Sequence, residues 1–296
     1  MNNKSKNLMD LLNADGYDMV ENNETNFAPH LSELSRPVIK RVCALKKLQL
    51  ESLKIETEFY QKVYDIEKEF QPLFDSVNEK RRAIVIGEHE PTNDEVDMPL
   101  LHGVTQETLE KIENSAPVEG GEPSKGIPGF WYNVLNSVGQ ISDMIKEYDQ
   151  PILQYLVDIT SESLANTSGF TISFHFDKNP YFENSILQKH YQLQFGLTDD
   201  DPFDYDGPTV VKSSGCEINW KSGKDVTQKV HNESFFNFFE NAEKSLDNDD
   251  LNNEEQDKIR DDFELGQILR DQVFKLYLML INYLLGRYSC CFVLYW

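Results

Sequence analysis

Apolar residues recur at Val38, Val42, Leu45, Leu48, Ile55, Phe59, Val63, Ile66 and Phe70, with mostly polar residues between them. Steps of three and four draw one stripe along a helix. The stretch 37–71 has no glycine and no internal proline, serines at 32 and 35 offer caps, and Pro37 suits a first-turn position. About 35 residues at ~1.5 Å per residue make a rod of roughly 50 Å, longer than the core surface of a small domain. The pattern therefore predicts that Val42, Leu45, Leu48, Ile55, Phe59, Val63, Ile66 and Phe70 face a second copy of the same rod, while Ser52 breaks any strict heptad repeat. Pro72 is expected to kink or end the rod, and a second helical stretch is expected over 73–86.

Helical patterns continue over 104–115, 130–138 and 141–148, with a turn-rich connection at 116–129. Asp149 is expected to cap a further helix carrying Leu153, Leu156, Val157 and Leu164. The period then changes. In GFTISFHF, Phe170, Ile172, Phe174 and Phe176 alternate with polar residues, which predicts a half-buried strand. KHYQLQF at 189–195 alternates again, and two more short strands are expected at 214–220 and 225–230. Four successive strands with short connections predict an antiparallel meander covered by the preceding helices, an α+β fold. SFFNFFE from Ser234 is a compact aromatic knot, and DDFELGQILRD looks helical.

Charge adds a second layer. The chain has 296 residues, 39 % of them hydrophobic, enough for one large or two small cores, and a net charge of −23. Residues 37–72 carry seven bases and six acids, whereas 73–296 carry 18 bases and 39 acids. The rod is nearly neutral and the part after it holds the excess, a field that repels nucleic acid and attracts basic partners. Asp143 and Glu147 stand four apart on a predicted helix with Asp149 just beyond, and a second run holds Glu254, Glu255, Asp257, Asp261 and Asp262. Like charges at helical spacing repel, and a basic ligand would relieve them; a solvated face has the same pattern.

No nucleotide loop, nucleophile elbow or metalloprotease motif is present, so no enzyme and no cofactor are expected. Cys43, Cys216, Cys290 and Cys291 lack zinc-site spacing, and the start lacks a secretory core, which predicts a reducing compartment. His175 and His190 fall on the polar faces of strands, where solvent is expected. Leu48, Leu50, Leu53 and Ile55 match the spacing of a leucine-rich export signal, although packing within the rod accounts for them as well. The ending 273–296 has nearly the length of a membrane span, but Arg287 would sit near its middle at about 2.5–3.5 kcal/mol, so an atypical packed terminus is expected instead of an anchor.

KGIPGFW (125–131), NPYF (179–182), DPFDYDGP (201–208), GCEINWKSGKDVT (215–227), SFFNFF (234–239) and DFELG (262–266) occur in that order. This set resembles the nucleosome assembly protein family of histone chaperones. The resemblance implies a homodimer joined through the long helix, ATP-independent binding of core histones on an acidic underside, and shuttling between nucleus and cytoplasm. It places Asp143 and Glu147 among the histone-facing acids. The expected organisation is a disordered acidic segment 1–34, a dimerisation helix 35–72, an acidic α/β histone-binding domain 73–270 and an atypical hydrophobic ending 271–296. The histone-binding set is Asp143, Glu147, Asp149, Glu254, Glu255, Asp257, Asp261 and Asp262. Where the family carries a long basic hairpin before SFFNFF, only QKVHNE stands here, which leaves import without its usual signal. A dimeric acidic scaffold or adaptor for other basic proteins, tail-anchored if 273–296 does span a membrane, is the alternative reading.

Overall fold

The structure, a computed structural model, describes residues 34–97, 125–198, 202–228, 233–240 and 253–274, with isolated positions between 105 and 114. The disorder expected over 1–34 and the ending beyond Phe274 therefore fall almost wholly outside the described residues. The chain forms two compact units, a smaller one of Met1–Lys68 with Gln194–Thr209 and a larger one of Glu69–Leu193 with Val210–Trp296.

The rod is helix α1, Arg36–Val85, 50 residues long, and it runs straight past the expected stop at Pro72. A proline inside a helix removes one hydrogen bond and costs about 3 kcal/mol. Tertiary anchors hold the turns around it: Gln71 Nε2 donates to the Ser161 carbonyl at 2.9 Å, and the Arg81 guanidinium lies over the Trp131 ring at 5.5 Å. In the smaller unit, Leu53 and Tyr64 are buried, Tyr64 packs against Phe195, Tyr60 against Tyr205, and Lys46 lies over Phe203. Phe195, Phe203 and Tyr205 thus cover one side of the rod. Leu45, Leu48, Ile55, Phe59 and Ile66 remain more than half exposed, Val42 and Phe70 are exposed to nearly the same degree, and Val63 is half-buried. Among the described residues, most of the predicted stripe has no cover.

The larger unit is built on a four-stranded antiparallel sheet in the order β1-β2-β3-β4: β1 Leu156–Ser163, β2 Gly169–Phe176, β3 Ile186–Gln194 and β4 Thr209–Ser214. Helices α2 Phe130–Asn136, α3 Gly139–Met144 and α4 Gln150–Leu153 precede it. A 3₁₀ turn, Phe235–Phe239, and helix α5, Asn253–Phe274, follow it. The meander is the one expected, but two of its members differ. The stretch expected to be a long helix after Asp149 is helical for four residues and then becomes β1. Val157, Ile159 and Thr160 are β-branched and suit a strand. The near-continuous burial of β1 hides the alternation that would have revealed it.

Over 215–220 and 225–228 the expected strands do not form; β4 ends at Ser214, and 229–230 lie outside the described residues. After Ser214 the backbone N–H of Gln188 donates to the Cys216 thiol at 3.1 Å instead of to another strand. Gly215 approaches the Phe239 carbonyl so closely that a Cβ would lie 1.8 Å from its oxygen. Asn184 then ties the loop down by accepting from Asn219 N–H and donating to the Glu217 carbonyl. At 225–227 the Asp225 carboxylate accepts from the N–H and hydroxyl of Thr227, which makes a turn.

One sheet face carries the aromatic core. Phe174 meets Phe235, Phe238 and Phe239, while Phe176 meets Phe182 and Phe236, and Trp220 closes over Phe182. The other face is polar and cross-linked. Thr160 and His175, Thr171 and His190, and Gln188 and Ser173 form hydrogen bonds between strands. His175 and His190 are therefore half-buried and not solvated as expected, and burial holds both below the ordinary histidine range.

A candidate protein-binding groove

Helix α5 packs on the core face of the sheet, and Gly266 permits the approach: a Cβ there would lie 2.5 Å from the Tyr191 ring. A second tie is polar. Lys189, on the apolar face of β3 and almost fully buried, reaches Asp262 Oδ1 at 2.9 Å and donates to the Glu240 carbonyl at 3.1 Å. Ser213 donates to Asp262 Oδ2 at 2.6 Å, and the Tyr191 hydroxyl donates to the Asp262 carbonyl at 2.9 Å. Burial beside Asp262 pushes the Tyr191 hydroxyl far above its ordinary value.

Between α3, the 3₁₀ turn and α5 lies a groove of about 630 Å³. Met144, Phe238, Ile259, Leu265 and Ile268 supply its apolar lining, and Glu240, Asp261 and Glu264 its exposed acids. Lys258 is exposed there as well, while the charge of Lys189 is already taken up by Asp262. Asn237 Nδ2 donates to Glu240 Oε1 and orients it. Nothing in this arrangement activates a nucleophile; it presents fixed negative charge beside apolar surface. Among the described residues, no group of three or more His, Cys, Asp or Glu is placed to hold a metal ion.

The nucleosome assembly protein family model matches residues 40–232. Human nucleosome assembly protein 1-like 4 is 33 % identical over 273 residues, covering 82 % of this chain and 73 % of the human protein. Mouse nucleosome assembly protein 1-like 1 is 36 % identical over 270 residues, covering 82 % and 69 %. The chain belongs to the nucleosome assembly protein family of histone chaperones. Its fold is also that of nucleosome assembly protein 1 from Plasmodium knowlesi, with a TM-score of 0.51 at 22 % identity, covering 86 % of this chain and 99 % of that one. The family consists of chaperones that carry out no chemical step.

Within this family member the predicted acids separate into three groups. Asp143 on α3 and Glu147 in the turn after it are exposed. Because α3 ends at Met144, the two are not helical neighbours, and the expected repulsion along one helix face does not arise. Lys146 lies between them, pairing with Glu233 at 3.3 Å and donating to the Asp143 carbonyl at 3.1 Å. Asp261 is exposed on α5.

Asp149 and Asp262 are spent inside the fold. Asp149 is fully buried; it accepts from Lys146 N–H, Ser234 Oγ and Phe235 N–H, and its side chain caps no helix. Asp262 carries the Lys189 pair. Glu254, Glu255 and Asp257 lie on the first turns of α5, and their side chains fall outside the described residues. Of the export-like set, Leu48 and Ile55 are exposed, Leu50 is half-buried and Leu53 is buried, so the four do not share one open face.

Sequence reasoning missed Lys189, Glu240 and Glu264 as members of this site. The signal for Lys189 was a charge at a position in phase with Tyr191 and Leu193 on the apolar side of β3. Among the described residues, no helix is long and apolar enough to cross a membrane.

Proposed function

We propose that this chain is a homodimeric chaperone that binds core histones through the acidic surface around the α3–α5 groove and promotes nucleosome assembly without ATP. The observation that carries the reading is the pairing of family membership with exposed carboxylates, Asp143, Glu147, Glu240, Asp261 and Glu264, in the part of the chain that holds nearly all the excess negative charge. Histones bind DNA promiscuously through phosphate charge. A carboxylate surface competes for the same Lys and Arg, blocks unproductive contacts and yields the histone when DNA offers a better fit. The apolar stripe of α1 supports the homodimer. Residues 73–270 act as the histone-binding domain in this reading, and shuttling between cytoplasm and nucleus follows from its role in histone delivery.

The test is to titrate purified chain with core histones across a salt series, then to assay plasmid supercoiling. Binding that weakens steeply with salt, together with supercoils formed without ATP, is the expected result. Asp143→Ala with Glu147→Ala should weaken binding and leave the dimer intact. Unchanged affinity at moderate salt would remove those two residues from the surface, and absence of any capture at low salt would overturn the reading.

A further inference from the structure

We propose that the groove between α3 and α5 seats an amphipathic helix of the basic partner, not an extended basic tail. The inference rests on the chaperone reading above. An electrostatic trap for a tail needs only carboxylates on a wetted face. Here Glu240, Asp261 and Glu264 border a strip of half-exposed apolar side chains, Met144, Leu265 and Ile268. Asp261, Leu265 and Ile268 follow one another along α5 at steps of four and three, so acid and apolar surface share one helical face. Three carboxylates against Lys258 leave the border negative, since the buried Lys189 charge is matched by Asp262.

A flexible Lys-rich tail would satisfy that border and leave the strip exposed to water. A helix with apolar residues on one face, flanked by Lys or Arg, covers the strip and meets the border together. The groove, about 630 Å³, takes several side chains of such a helix while its backbone stays outside. Burial of apolar area does not weaken with salt as ion pairing does. Binding should therefore fall as salt rises and then level off above zero.

Two fluorescent peptides of identical composition test this. One sets Leu residues on a single helical face with Lys at its edges; the other is scrambled to erase the stripe. Anisotropy titrations with the full chain should show the amphipathic peptide binding about tenfold more tightly, with a residue of binding at high salt. Ile268→Asn should abolish that difference and leave the scrambled peptide unaffected, whereas Asp261→Asn with Glu264→Gln should weaken both. Met144→Gln, which removes apolar surface without adding charge, is the second variant, used if Ile268→Asn lowers the melting temperature.

Equal affinity for the two peptides would overturn the proposal while leaving the chaperone reading intact, provided core histones still bind. A tenfold gain in peptide affinity on deleting 275–296 would also overturn it, because the occupant would then be the chain's own ending. Failure of core histones to bind in the same buffer would instead remove the chaperone reading itself.

Discussion

The Ser234 hydroxyl donates to Asp149 Oδ1 at 2.7 Å, and the neighbouring Phe235 N–H donates to Oδ2 of the same carboxylate at 2.9 Å. One buried acid thus fixes the start of the aromatic knot against the turn before α4. Hydrogen bonds to a charged group contribute about 1.5–3 kcal/mol, and stranding buried donors adds to the loss. Asp149→Ala is expected to reduce the unfolding free energy by roughly 3 kcal/mol in urea titration. Asp143→Ala and Glu147→Ala, both at exposed positions, should stay within about 0.5 kcal/mol of the parent. Equal stability of all three variants would deny Asp149 its structural role.

Lys189 and Asp262 give a second prediction. Asp262→Ala leaves a buried ammonium without its partner, and breaking a buried pair costs about 3–5 kcal/mol; partial exposure of Asp262 places the expected loss near the lower end. Replacing both, Lys189→Met with Asp262→Leu, should recover most of that loss, because desolvation of the pair is also removed. A double variant no more stable than Asp262→Ala would show that the ion pair is not what holds α5.

Stability should carry a pH signature from Asp158. Burial raises its carboxyl from the ordinary 3.8 to about 6, and the facing Arg81 opposes the shift only in part. A raised carboxyl means that the folded state binds a proton more tightly than the unfolded chain. Its contribution therefore favours folding most below about pH 4 and is lost as pH rises towards 6. Urea midpoints measured from pH 4 to 7 should show this falling component, and Asp158→Asn should lack it. An identical pH profile in the variant would reject Asp158 as the source.

The uncovered face of α1 predicts association. Sedimentation of the full chain should give twice the 34.3 kDa chain mass. Leu48→Glu with Ile55→Glu should shift it to the monomer at micromolar concentration, because both side chains are more than half exposed in the single chain. Leu53→Ala acts differently: that residue is buried under its own chain, so the expected effect is about 2–5 kcal/mol of stability with association retained. A wild-type chain that sediments as a monomer would leave the stripe without its proposed partner.

Much of the architecture was legible from period alone. The rod, β2 and β3 follow from spacings of three to four and of two, which local geometry enforces wherever one face is buried, whereas β1 and β4 lie outside the stretches read as strands. Failures came where burial had two sides or where a side chain bonded at a distance. β1 is buried on both faces, Asp158 and Ser161 included, so no alternation of apolar and polar residues marks it as a strand. Pro72 is a stop signal in isolation, yet the anchors at Gln71 and Arg81 keep its neighbours helical. The acids at the site show the same division. Charge runs marked Asp143, Glu147 and Asp261, but nothing local distinguishes them from Asp149 and Asp262, whose partners stand 85 and 73 positions away.

The sequence by itself determined the rod, the strand alternation, the uneven distribution of charge and the ordered motifs of the family. These are properties of neighbouring residues and their sum. Only the tertiary structure decided which carboxylates face outwards, because burial and pairing depend on residues far apart in the chain. Asp149 closes a loop over Ser234, Asp262 neutralises Lys189, and Glu240, Asp261 and Glu264 are left to border an apolar groove.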